Sequence, residues 1–201
     1  MNQLYLASRS PRRREILAQM GVHFLPLVFR SGPRSDEGLD ETPLPKEAPD
    51  AYVERVTRAK VTCGLHLLKQ RNLIPLPVLS ADTILDLDGR IIGKPANDEE
   101  AHSILEALSG RKHRVLSGVA VSNADQTSFQ LVSSEVTFRT LSAEEIRRYL
   151  LTGEHQDKAG AYGIQGRAGM FVSHISGSYT GIMGLPVCET AVILKSFGFV
   201  F

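Results

Sequence analysis

The sequence predicts a layered α/β fold built on a mixed, twisted sheet with flanking helices and a cleft lined by loops. Three observations carry this. Strand and helix patterns alternate through the first half of the chain, two long β-type runs flank the polar turn "NADQTS" as an antiparallel pair, and no repeat, low-complexity tract or linker separates autonomous halves. With 201 residues, 42% of them hydrophobic, the chain is long enough for one large core or two closely packed lobes, and we expect one domain spanning 1–201.

Each element has a local cause. Residues 3–7 form an apolar strand, after which Ser10 offers an N-cap and Pro11 a first helical position where its missing N–H costs nothing. Ile16, Leu17 and Met20 recur at helical spacing and Gly21 stops the helix. Residues 22–29 read as a second strand, weakened by Pro26, and 30–49 as a long surface loop rich in Pro, Gly and charge. A helix over 50–71 turns Val53, Val56, Val61, Leu65 and Leu68 inward. An apolar strand then ends at Asp82, followed by a hairpin through Asp88-Gly89. A helix over 98–109 is opened by Asn97 or Asp98, and strands follow at 113–123 and 129–140. Ser142 and Glu145 have capping-box spacing ahead of a helix over 143–151. A strand at 170–176 and a helix from Pro186 to about Phe197 complete the chain.

Composition narrows the function. Lys and Arg number 23 against 22 Asp and Glu, so no global basic field exists to hold nucleic acid, and the chain has no tryptophan and few clustered aromatics on which bases might stack. The two cysteines, Cys63 and Cys188, lie far apart without metal-ligand spacing, which fits a reducing cytoplasm. "MNQLYLASRS" lacks the basic and apolar regions of a signal peptide, and nowhere do 18 apolar residues run together. We expect a cytoplasmic protein with no membrane or nucleic-acid partner.

Against that neutral background, "LYLASRSPRRREIL" places Arg9, Arg12, Arg13 and Arg14 in six positions directly behind a strand. A helix N-terminus attracts anions through its free N–H groups and dipole, so Arg12 and Arg13 in its first turn oppose that dipole by about 0.3–1 kcal/mol each unless an anion is bound there. Guanidinium forks match phosphate oxygens. Arg14 reads as a solvated side chain. Asp82 suits a divalent cation or water activation, and equally a strand cap or structural ion pair. Glu41, in the long loop, Lys60, beside a helix's apolar arc, and Lys94, before Pro95, are weaker candidates. In "KAGAYGIQG" the glycines permit close approach to a flat ligand, and the amide of Gln165 pairs a donor and an acceptor suited to the imide edge of uracil or thymine.

These stretches, with "AYVERVTRAK", "LSADTI", "IIGKP", "LSGRKHRVLSGVAV" and "GSYTGIMGLPVCET", resemble the Maf proteins almost from end to end. The resemblance implies the ITPase-like fold, two lobes around a central cleft, and a nucleoside triphosphate pyrophosphatase cleaving between the α and β phosphates in nucleotide-pool house-cleaning. It assigns Asp82 as the catalytic carboxylate and Ser8, Arg12, Arg13, Lys60 and Lys94 as phosphate-binding residues. Glu41 and Asp82 would be ligands of Mg²⁺ or Mn²⁺, and a homodimer is expected. Arg12, Thr83 and Gln165 match the branch acting on dTTP and UTP. The methylated-GTP branch carries an aromatic residue, Gln and Glu at those places. The stretch between Phe29 and Leu39 is longer and more basic than the family pattern, with Arg30 and Arg34 added. The alternative from another class is a nucleotide-binding regulator of cell division that lacks significant turnover.

Overall fold

A computed structural model describes residues 3–29 and 40–201. The expectations that fall on 30–39, Arg30 and Arg34 among them, lie outside the described residues. Elements follow in the order β1 (Gln3–Leu6), α1 (Pro11–Gln19), β2 (His23–Pro26), α2 (Pro49–Gln70), β3 (Val78–Leu87), β4 (Arg90–Ile92), α3 (Asp98–Leu108), β5 (Lys112–Ser122), β6 (Thr127–Phe138), α4 (Ala143–Leu150), β7 (Val172–Ser176), α5 (Tyr179–Met183) and α6 (Val187–Ser196). The mixed α/β architecture is as expected. The strands join in one sheet of order β2-β1-β3-β5-β6-β7, with β4 also paired to β3. β1 runs parallel to β2 and to β3, while β3, β5, β6 and β7 are successively antiparallel. Among the described residues no helix is long and apolar enough to cross a membrane.

The caps read from the sequence are in place. Ser10 accepts from the Arg13 amide, Asn97 from that of Glu100, and Ser142 and Glu145 form a full capping box. β2 forms despite its proline, because Pro26 is the last residue of a sheet-edge strand, where a missing ladder donor is tolerated. Three readings change. The strand expected over 22–29 is confined to His23–Pro26. The strand expected to end at Asp82 continues to Leu87, because Ile84, Leu85 and Leu87 are buried and keep it inside the sheet. "GSYTGIMGLP" contains the short helix α5, capped by the Ser178 side chain and ended by Gly184 in the left-handed region.

Period-two alternation gives β3 two functional faces. Ile84 packs with Val53 and Val56 of α2, and Ser80 Oγ donates to the Thr57 carbonyl on the same helix. Leu79 and Ala81 pack on the opposite face with Ile16 and Leu17 of α1 and Ile193 and Leu194 of α6. α2 lies close to the sheet because Gly118 on β5, cross-strand from Asp82, has no side chain: a Cβ there would stand 2.5 Å from Thr57 Oγ1 and 2.8 Å from Val53 Cγ1. A third cluster, of Leu105, Leu108, Phe138, Ile146 and Tyr149, joins α3 and α4 to the far half of the sheet. His113 is buried in its wall, edge-on to Phe138 at 5.1 Å, with Nε2 2.8 Å from the Tyr162 hydroxyl.

Two outcomes follow from this packing. Gly118→Ala is expected to destabilise the protein by about 1–3 kcal/mol, the cost of overpacking a tight helix–sheet contact, read from the urea midpoint. Burial pushes the His113 imidazole from its ordinary 6.5 down to about 4. Within that window the unfolded chain binds a proton that the folded chain refuses. Stability therefore falls as pH falls through it, by about 3 kcal/mol once pH is below both values. Urea titrations between pH 7 and pH 4 are expected to show this slope flattened in His113→Gln.

Candidate active site

β5 pairs with β3 along one edge from Val78 to Asp86. On the other edge β1 covers only Val78 and Leu79, and β4 covers Leu85 to Leu87. Between them, residues 80–84 have no strand partner on that edge among the described residues. A cavity of about 830 Å³ opens there, lined from β3 by Ala81, Asp82 and Thr83, and from the turn into α1 by Ser8, Arg12 and Arg13. Ligand sites in α/β sheets form at such a break, where neighbouring strands change direction. Because the sheet is open at this point, side chains from both of its faces reach one space.

The acidic wall comes from the α2 face. Asp82, 8% exposed, lies with Oδ1 2.7 Å from Lys60 Nζ, and the same ammonium stands 3.2 Å from Glu41 Oε2. Glu41 reaches Lys60 because its loop is clamped onto the helix that carries the lysine. The Tyr52 hydroxyl donates to the Glu41 carbonyl at 2.8 Å, and Arg55 donates to the carbonyls of Asp40 and Thr42 at 3.1 Å each. Arg55 also grips the Glu47 carboxylate at 2.7 and 2.8 Å, which holds that carboxyl well below its usual range, at about 2. The loop so fastened presents its carboxylate to the cavity with little freedom.

The cationic wall comes from α1. Arg13 crosses to the opposite face of β3 and is anchored there: Nε donates to the Gly184 carbonyl at 2.8 Å, Nη1 to Ser8 Oγ at 3.1 Å and Nη2 to Thr83 Oγ1 at 3.2 Å. Three of its five N–H bonds are thus engaged and two are left for a ligand. Burial lowers its pKa, an effect opposed by the Asp82 charge. Ser117 Oγ donates to the Gly181 carbonyl at 2.7 Å and stands 2.9 Å from Thr83 Oγ1. Ser117 has one proton, so Thr83 donates to Ser117 and accepts from Arg13. This chain of hydroxyls fixes the arginine's orientation. Arg12 diverges from Arg13, about 100° further round the helix, and its guanidinium lies over Gly163, whose absent Cβ would stand 2.8 Å from Nη1. Burial lowers the Arg12 pKa as well.

The cavity therefore gathers Ser8, Arg12, Arg13, Glu41, Lys60, Asp82, Thr83 and Lys94, the last 4.0 Å from Asp157 and largely exposed. Gln165 is not brought in with them: it is exposed, one residue beyond the lining residue Ile164. Arg14 stays outside the lining, but is half-buried rather than solvated, with Nε lacking a hydrogen bond. Asp86, in phase with Asp82, is held by Arg114 at 2.8 Å in a separate ion-pair network with Asp50. Two basic lining residues have no role in the sequence reading, Arg9, whose guanidinium donates to the Phe29 carbonyl, and Lys158. Lys158 follows Asp157, which adopts a positive φ of 58°; the turn that swings the lysine inward leaves no pattern in composition or periodicity. Ser117, buried on β5, reads in the sequence as one more strand residue.

Glu41 and Asp82 bring hard oxygen donors together at the Lys60 ammonium, and no group of three or more His, Cys, Asp and Glu suited to a metal occurs among the described residues. Such a pair fits Mg²⁺ or Mn²⁺, which take one or two protein carboxylates and complete their shell with water and phosphate oxygens.

The model of the family described as "Maf-like protein" matches residues 3–197. A relative from Dechloromonas aromatica named dTTP/UTP pyrophosphatase is 60% identical over 197 residues, 98% of each chain. One of the same name from Aromatoleum aromaticum is 55% identical over 198 residues, 98% of this chain and 96% of that one. The solved structure of the Staphylococcus aureus Ham1 protein superposes with a TM-score of 0.46 at 16% identity, covering 68% of this chain and 71% of that one. A family match running from β1 to the end of α6, with relatives alike along their whole length, makes this chain a member of the Maf family.

Proposed function

We propose that this protein hydrolyses the α–β anhydride of dTTP and UTP, releasing the nucleoside monophosphate and pyrophosphate, and so removes these nucleotides from the pool. The observation that carries the reading is the shared cavity: the arginine corner of α1 and the Asp82 carboxylate border one space, on opposite walls of a break in the sheet. The names of the full-length relatives support the same substrates.

Hydrolysis of a triphosphate needs charge neutralisation, alignment and an oriented water. Arg13, locked by Thr83, Ser8 and Gly184, presents its two remaining N–H bonds to phosphate oxygens without reorganising. Lys60 holds the Asp82 carboxylate in one orientation and adds a positive charge beside the reacting phosphate. Asp82 accepts a hydrogen bond from the attacking water and aims it. Carboxylates are weak bases at neutral pH, so this residue serves as a positioner of water more than as an unaided proton acceptor. Glu41 and Asp82 would hold a divalent cation, which would supply further charge neutralisation and a more acidic bound water. Base discrimination by Arg12, Thr83 and Gln165 is what the family resemblance implies; Thr83 would act through Arg13, which it helps to fix, and Gln165 stands exposed, one residue beyond the lining residue Ile164.

Asp82→Asn is expected to lower UTP turnover by about 100-fold or more, or ~2.7 kcal/mol of barrier, measured as pyrophosphate release with Mg²⁺ or Mn²⁺. A loss under about tenfold places Asp82 outside the chemistry, and a wild type that binds UTP without releasing pyrophosphate supports the regulator instead. Gln165→Glu is expected to shift the ratio of UTP and dTTP to GTP turnover by about tenfold toward GTP, through repulsion of the pyrimidine carbonyls. Unchanged ratios remove Gln165 from base reading.

A further inference from the structure

Lys158 lines the cavity and opens the stretch "KAGAYGIQG", yet neither the sequence reading nor the mechanism above gives it a role. Its position is held from several sides. The Gly160 amide donates to the Gly93 carbonyl at 2.9 Å, fastening the Lys158 loop to the segment that leads into Lys94. Behind it, His155 Nε2 lies 2.9 Å from Asp98 at the start of α3. A Cβ on Gly163 would stand 3.0 Å from both Cδ and Cε of Lys158 and 2.8 Å from Arg12 Nη1. The lysine stem and the guanidinium therefore converge over one glycine. The missing side chain is what lets two cations share that spot.

No carboxylate separates them. Among the described residues Lys158 forms no ion pair, and the only hydrogen bond of its ammonium is a long one of 3.4 Å to the Gln156 carbonyl. The acids nearby are committed or turned outward: Glu154 accepts from the Arg167 amide at 2.8 Å, and Asp157, 95% exposed, faces Lys94. Burial, and then the neighbouring Arg12 charge, lower the Lys158 pKa, as expected for an ammonium placed beside another cation without an anion. A neutral base carbonyl does not offset two adjacent positive charges, whereas a phosphate does.

We propose that Lys158 is a phosphate-binding residue of this site, gripping triphosphate oxygens jointly with Arg12 across Gly163. This rests on the triphosphate reading above and adds a ligand to it. The probe is inorganic pyrophosphate, which carries the anion without a base, with uridine as its counterpart carrying the base without a phosphate. In competition with UTP turnover, Lys158→Met is expected to weaken pyrophosphate inhibition and raise KM by about tenfold, the loss of one charge-assisted hydrogen bond. Inhibition by uridine is expected to stay unchanged, and Lys158→Arg to restore most of the pyrophosphate effect. An unaltered thermal midpoint in Lys158→Met shows that the loop is intact. Pyrophosphate inhibition equal to wild type, or a loss confined to uridine, overturns the assignment while wild-type turnover leaves the triphosphate reading standing. Absent turnover sinks that reading instead, and calorimetric titration of pyrophosphate into the two proteins still decides the role of Lys158.

Discussion

The site depends on an interruption in hydrogen bonding along one edge of β3. β1 leaves that edge after Leu79 and β4 does not take it up until Leu85. Had β1 continued, its backbone would fill the space, and Asp82 and Thr83 would point into two separate layers on opposite sides of a closed sheet. The gap converts alternation, which normally segregates neighbouring residues, into a means of bringing unlike chemistry together. Asp82 collects Lys60 and Glu41 from the α2 side, and Thr83 collects Arg13 from the α1 side, so consecutive residues serve opposite walls of one cavity.

The same logic of divergence applies to the arginines. Adjacent helical positions cannot converge on one point, and Arg12 and Arg13 do not. Arg13 is spent largely on architecture, tied to a carbonyl of the α5 turn and to two hydroxyls, and offers what remains of its fork from a fixed position. The Arg12 guanidinium has no hydrogen bond among the described residues and lies against the glycine of another loop, its charge available. Their shared placement in a helix's first turn is unfavourable in isolation, and the two meet it differently: Arg13 is a structural clamp, and Arg12 keeps a charge that the proposed reading assigns to phosphate.

Much of this was legible in the sequence because it is local. Caps, hairpin turns and helical spacing depend on neighbours within a few residues, and Ser10, Asn97, Ser142 and Asp88-Gly89 declared themselves. The arginine corner and Asp82 stood out because charge at a strand end or helix start needs a reason. The end of β3 was misread for the opposite cause: strand length is set by pairing with β4 and β5, contacts far away in sequence. Ser117 and Lys158 were missed likewise. A serine within a strand and a lysine in a glycine-rich stretch are ordinary until the register sets Ser117 beside Thr83 and a positive-φ turn swings Lys158 beside Arg12.

The distribution of charge in the empty cavity bears on what it selects. On the acidic wall the balance is nearly internal: one lysine bridges two carboxylates, so these side chains are held in place before a ligand arrives. On the cationic wall the balance is incomplete, with Arg12 and Lys158 adjacent and Lys94 only loosely matched by Asp157. A ligand gains most by bringing its negative charge to the second wall while placing one reacting phosphorus near the first. A nucleoside monophosphate has only one phosphate with which to do both. On the proposed reading a triphosphate has several phosphates to divide between the walls, and cutting its α–β bond splits that negative charge between two products. Each product then brings less charge to the cationic wall than the intact substrate, so the arrangement of charge that draws the substrate in also favours release of the fragments.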